Sequence, residues 1–133
     1  MIHKFTDKFV SAKAETIDWL RQDHPENYFS IVKKTVEIIS DGDSHHLPDP
    51  NRITEIDHGD YQGTLVYVIA ERDYQPNVYW YAMVAYGSCS GCDSLEAIRG
   101  YDNAPPTQDQ AKEYWTLMLH IVQRIRKMDG GLL

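Results

Sequence analysis

Thr64-Leu65-Val66-Tyr67-Val68-Ile69-Ala70, then Arg72-Asp73-Tyr74-Gln75-Pro76-Asn77, then Val78-Tyr79-Trp80-Tyr81-Ala82-Met83-Val84-Ala85-Tyr86: this stretch decides the fold. β-Branched and aromatic residues crowd the first and last segments, and such side chains suit a pleated surface. The middle segment, with proline and asparagine, reads as a turn. Two strands joined by so short a link pair antiparallel. Both strands are apolar almost throughout, so either both faces are covered or one face meets a partner.

Outward from this pair, strand character begins near Ile53, and Asp43 to Asn51 reads as a polar, proline-containing loop. Upstream lie two helices. The first runs from about Lys4 to Gln22, with Phe5, Phe9, Ala12, Ile17 and Leu20 as its apolar stripe. The second runs from about Pro25 to Ser40, with Asp23 as its expected cap. Its stripe is Tyr28, Ile31, Val32, Thr35, Val36 and Ile39, and Asp41-Gly42 stops it.

Downstream, a short helix is expected from Ser94 to about Arg99, capped by Asp93 with Glu96 in the capping-box position. Thr107 and Gln110 form a second capping box, opening a long helix to about Met128. Ala111, Tyr114, Trp115, Met118, Leu119, Val122 and Ile125 mark its buried face. The expected architecture is therefore α+β in a single domain over residues 1–133. A small antiparallel sheet of two or three strands is packed by two N-terminal helices, the short helix and the long C-terminal helix.

The 133 residues carry a net charge of −7. That balance disfavours direct nucleic-acid binding, which needs Lys and Arg gathered on one face. No apolar run approaches a membrane span, and the N-terminal residues lack a signal-peptide pattern, so a cytoplasmic protein is expected. In that compartment the two cysteines are expected to be reduced.

Those cysteines lie between strand and helix, in Gly87-Ser88-Cys89-Ser90-Gly91-Cys92-Asp93-Ser94. Four readings stand side by side. The thiols fill small gaps in a tight loop. They bind zinc or an iron–sulfur cluster, for which one chain offers two of four ligands. Further ligands would then come from His45, His46 or His58, or from the same loop of a second subunit in a homodimer. They cycle as a redox pair, lowered in pKa by a helix N-terminus. Or Cys89 is a nucleophile at a Gly87-x-Cys89-x-Gly91 elbow, with His120 as base.

Gly87-Ser88-Cys89-Ser90-Gly91-Cys92-Asp93-Ser94-Leu95, with Ile98 and Gly100, resembles the cluster loop of NifU-like C-terminal domains. That resemblance implies one C-x-x-C from each of two subunits on a shared iron–sulfur cluster. The chain has Asp93 where that family usually has proline.

A longer set resembles small proteins of bacteria and their phages that carry a Y-G-S-C-S-G-C-D signature. It comprises Pro48-Asp49-Pro50, Arg52-Ile53, Asp60-Tyr61-Gln62-Gly63-Thr64 and Tyr86 through Leu95, within about residues 45–100. The resemblance implies a phage or mobile-element setting, with a host cytoplasm as location, and no activity. It singles out Asp60, Tyr61 and Gln62 beside Ser88, Ser90 and Asp93 as candidate binding residues.

Two further features bear on a partner. Acids are dense from Asp41 to Asp60, where Asp41, Asp43, Asp49, Glu55, Asp57 and Asp60 read either as a solvated loop or as a surface offering charge to a basic protein. Tyr61, Tyr67, Tyr74, Tyr79, Tyr81 and Tyr86 cluster with Trp80 in the strand region, a composition that serves core or interface. The leading expectation is a non-catalytic protein-binding module acting through its sheet and the Ser88–Asp93 loop. The alternative is a homodimeric metal or iron–sulfur protein using Cys89 and Cys92.

Overall fold

A computed structural model describes residues 2–41, 47–59, 63–72, 78–86, 94–99 and 104–128. It is α+β, with helices α1 (Ile2–Ser11), α2 (Lys13–Leu20), α3 (Tyr28–Ile39), α4 (Ser94–Arg99) and α5 (Gln108–Arg124). The strands are β1 (Pro48–Gly59), β2 (Gly63–Glu71), β3 (Tyr79–Tyr86) and the two-residue β4 (Arg126–Lys127). They form one antiparallel sheet in the order β1-β2-β3-β4. No described helix is long and apolar enough to cross a membrane.

The N-terminal stripe does not make one continuous helix. At Ala12 the backbone N–H bonds to Phe9 O, three residues back, at 3.2 Å. Thr16 Oγ1 donates to the Ala12 carbonyl at 2.7 Å. This tightened turn separates α1 from α2, and both still bury their apolar residues: Phe5 and Phe9 on one, Ile17 and Leu20 on the other.

The next helix starts at Tyr28, later than Pro25. Asn27 is extended and its side chain accepts from Ser30 N at 2.9 Å, satisfying a first-turn donor. Asp23 instead accepts from the adjacent His24 N–H. All six stripe residues of α3, from Tyr28 to Ile39, are buried.

The sheet register is regular where it matters. β1 pairs with β2 continuously from Ile53↔Ile69 to Gly59↔Gly63, with an irregularity between Pro48 and Ile53. β2 pairs with β3 from Gly63↔Tyr86 to Ala70↔Tyr79. The strand thus begins at Pro48, inside the segment expected to be a loop, because a proline at the start of an edge strand removes no needed ladder bond.

Helix α5 carries the expected capping box in full: Thr107 Oγ1 accepts from Gln110 N, and Gln110 Oε1 accepts from Thr107 N. It stops at Arg124, short of Met128. Ile125 turns extended and stays buried, which sends Arg126 and Lys127 into pairing with Tyr81 and Trp80. On α5, Ile121 is fully buried, whereas Leu119 is only half-buried.

Period-two alternation sorts the sheet into two faces. Leu65, Tyr67, Ile69, Trp80, Ala82 and Val84 are buried and share one face by register. The helices meet that face. Phe5 stands edge-on to Trp80 with centroids 6.1 Å apart, Phe29 lies 6.3 Å from Tyr67, and Phe9 stacks on Trp115 behind them at 5.3 Å. The core is therefore a single layer between helices and sheet.

Candidate functional site

The opposite face of the sheet is built from the intervening residues. Ile56, Val66 and Met83 stand directly across from one another on β1, β2 and β3. The next row is Thr54, Val68 and Tyr81, with Arg126 of β4 beside Tyr81. Ile56 is 42% exposed and Met83 50%, while Val66, Val68, Tyr79 and Tyr81 are half-buried. Large apolar residues this exposed are few among the described residues, and two of them share one cross-strand row.

This face has a second property. The described residues that lie on it from Thr54 to Arg126 include no Asp or Glu, although the chain's net charge is −7. An apolar, carboxylate-free patch on an acidic protein can exclude water against another surface without stranding a buried charge.

The acids of β1 go elsewhere. Glu55 pairs with Tyr67 and Asp57 with Leu65, so both leave on the helix-side face at the sheet's outer edge, and both are exposed. Tyr67 Oη donates to Glu55 Oε2 at 2.7 Å. Burial first, then this bond, pushes the Tyr67 phenol far above its ordinary range. At the other end of the strand, Asp49 lies 3.4 Å from the Arg52 guanidinium. Asp41 stands past the end of α3, where its carbonyl accepts from Lys8. The expected acidic surface is thus split: Asp41 and Asp49 at one end, Glu55 and Asp57 along the edge. Asp43 and Asp60 lie outside the described residues.

The residues that the motifs single out fall mainly in undescribed segments. His45, His46, Asp60, Tyr61, Gln62, Ser88, Cys89, Ser90, Cys92 and Asp93 all lie outside the described residues. What the structure places is their flanks. Gly59 pairs with Gly63 and Gly63 with Tyr86, so the Asp60-Tyr61-Gln62 and cysteine motifs both depart from one end of the sheet. His58 is one position in from that end, opposite Thr64. The flanks of His45-His46 stand at the other end, where Pro48 pairs with Glu71. Beyond the cysteine motif, Leu95 is buried at the start of α4, and its N–H donates to Tyr28 Oη at 3.1 Å.

Among the described residues, no group of three or more His, Cys, Asp or Glu side chains is placed to hold a metal ion. The zinc and iron–sulfur readings therefore rest on Cys89 and Cys92 in sequence alone. His120, the base considered for a cysteine nucleophile, is exposed on α5. A cleft of about 70 Å³ lies between Ala12, Glu15, Thr16, Lys34 and Ile38. It has room for a few waters and is well below the size of a small-molecule site.

His24 joins the segment before α3 to Tyr114 and Ala104. His24 Nδ1 lies 2.7 Å from Tyr114 Oη, and Nε2 lies 2.9 Å from the Ala104 carbonyl. A carbonyl only accepts, so Nε2 carries the proton and, in the neutral ring, Nδ1 accepts from the phenol. Burial pushes the Tyr114 phenol up to about 12, with Glu113 adding to the shift and Arg99 opposing it. The pair clasps the segment before α3 to α5 and to the segment entering it.

No family model, curated protein or solved structure matches the chain. Composition marks Tyr79 and Tyr81 as core or interface residues but does not mark Ile56, Val66, Val68 and Met83. Their signal was the near-continuous apolar character of β2 and β3, which leaves apolar residues on both faces of each strand.

Proposed function

We propose that the chain is a non-catalytic binding protein that engages another protein through the open face of its sheet. The observation that carries this reading is the uncovered row Ile56–Val66–Met83, flanked by Val68 and Tyr81 and free of carboxylates. A monomer hides its apolar sheet faces or lets polar residues cover them. A cross-strand apolar row left exposed is characteristic of a contact surface. Tyr81 and Arg126 add an aromatic and a guanidinium, both enriched at interfaces. The setting implied by the sequence resemblance, a mobile element acting on a protein of its host, belongs to the same proposal.

The test is site-specific cross-linking in the cell that makes the protein. A photoreactive residue replaces Met83, and a control carries it at Gln123, exposed on α5. The reading expects one defined protein cross-linked from position 83, not from 123, and lost when Ile56→Glu is added. Equal, diffuse labelling from both positions would remove it.

A further inference from the structure

The outer edge of β1 is the second feature of the sheet with a use. β1 is terminal in the sheet, and its pairing with β2 runs without a break from Ile53 to Gly59. A regular edge strand presents alternate N–H and C=O groups outward along its whole length. Between Ile53 and Gly59 there is no proline, lysine or bulge; the charges on this edge are Glu55 and Asp57, which disfavour pairing with a like-charged strand. Thr54, Glu55, Ile56 and Asp57 are all exposed.

The two faces of this edge differ in chemistry. Thr54 and Ile56 stand on the open apolar face. Glu55 and Asp57 stand on the other, and Glu55 is fixed in place by the bond from Tyr67. A second copy of β1 laid against this edge would bring Glu55 and Asp57 against their own duplicates, which like-charge pairing across strands penalises. A strand with the reverse pattern meets no such penalty.

We propose that β1 accepts an extended segment of a cationic partner protein as an added strand. Its apolar side chains extend the Ile56–Val66–Met83 row, and its Lys or Arg side chains stand beside Glu55 and Asp57. Main-chain bonds supply the attachment, and the alternation of apolar and basic residues supplies selectivity. This rests on the sheet-face reading above and names the chemistry of the partner.

The probe is a synthetic peptide of about eight alternating Val and Lys residues, the length of an ordinary strand. It is compared with a Val/Glu peptide and with a Val/Lys peptide N-methylated at alternate residues. Binding to the full chain is read by fluorescence anisotropy. The Val/Lys peptide is expected to bind, to weaken as salt is raised, and to slow amide exchange in residues 53–59. The Val/Glu peptide is expected not to bind. N-Methylation removes main-chain donors but no charge, so it is expected to abolish binding.

Glu55→Gln with Asp57→Asn keeps side-chain shape while removing both charges and is expected to weaken binding about three- to tenfold, the scale of lost exposed charge attraction. Equal binding by the N-methylated peptide, no change in β1 exchange, an unaffected double variant, or a wild-type dimer paired through β1 would each overturn the proposal. The cross-link from position 83 is read separately. If it survives while the peptide fails, the open face still binds and only the edge assignment falls.

Discussion

Tyr67 and Glu55 face one another across β1 and β2, and the buried phenol donates to the exposed carboxylate at 2.7 Å. The ring belongs to the core, 6.3 Å from Phe29, so only the hydroxyl reaches the sheet edge. Tyr67→Phe keeps the packing and removes the bond. Glu55 is exposed and rehydrates, so the cost should be about 1 kcal/mol and not the larger penalty of an orphaned buried charge. Urea unfolding should show a lower midpoint with an unchanged slope.

The same burial makes stability fall in alkali. The Tyr114 phenol is raised from 10.0 to about 12 and that of Tyr67 is raised further, so the folded state holds both protons more tightly than the unfolded chain. Both contributions are complete below pH 10; that of Tyr114 is lost as pH rises through about 12, and that of Tyr67 at still higher pH. For Tyr114 it is on the order of 2 kcal/mol. A tyrosinate absorbance titration should show Tyr67 and Tyr114 ionising only as the far-ultraviolet helix signal is lost. Ionisation of all tyrosines in one ordinary step, with the helix signal intact, would contradict this.

Helix α5 offers a paired test of its buried face. Met118 is fully buried, whereas Leu119 is half-buried. Met118→Ala should cost about 2–5 kcal/mol. Leu119→Ala should cost clearly less, about 1 kcal/mol, in proportion to the smaller area it removes from water. Equal costs would place Leu119 deeper than the structure does.

The start of α3 separates two caps that look alike in sequence. Asn27 accepts from Ser30 N, and Asp23 accepts only from its neighbour His24. Asn27→Ala should lower stability by about 1 kcal/mol. Asp23→Ala should change it by less than about 0.5 kcal/mol. Thermal melts of the two variants distinguish them.

These cases show what was legible in the sequence. The α3 stripe, the Thr107–Gln110 box, the β2–β3 pair and the short helix at Ser94 are local signals, and local signals survive folding. The break at Ala12 was hidden because neither Gly nor Pro marks it, only a shift in the hydrogen bond of Ala12. The exit of the chain into β4 was hidden because Arg126 and Lys127 continue the helix by propensity, and tertiary pairing with β3 overrides it. The acids of β1 read as one surface because they are close in sequence. Strand length separates them: Asp49 lies near the Pro48 end, whereas Glu55 and Asp57 stand together on the helix-side face of the edge.

The open face itself is tested by two neighbours on β3. Ala82 is buried against the helices and Met83 is half exposed on the other side of the same strand. Period two forces adjacent residues to opposite faces, so one substitution at each position distinguishes the layers. Ala82→Glu puts a carboxylate into a packed core beside Tyr67, its partner in register, and should prevent stable folding, at a cost above about 3 kcal/mol. Met83→Glu leaves its carboxylate in water, so stability should move by no more than about 1 kcal/mol. Its effect should fall on association, because a desolvated, unpaired charge at the centre of an apolar contact is costly. Circular dichroism and urea titration read the first comparison, and cross-linking from a photoreactive residue at Val66 reads the second. A Met83→Glu chain that unfolds like Ala82→Glu would mean that this face is covered, and the binding surface would have to be sought elsewhere.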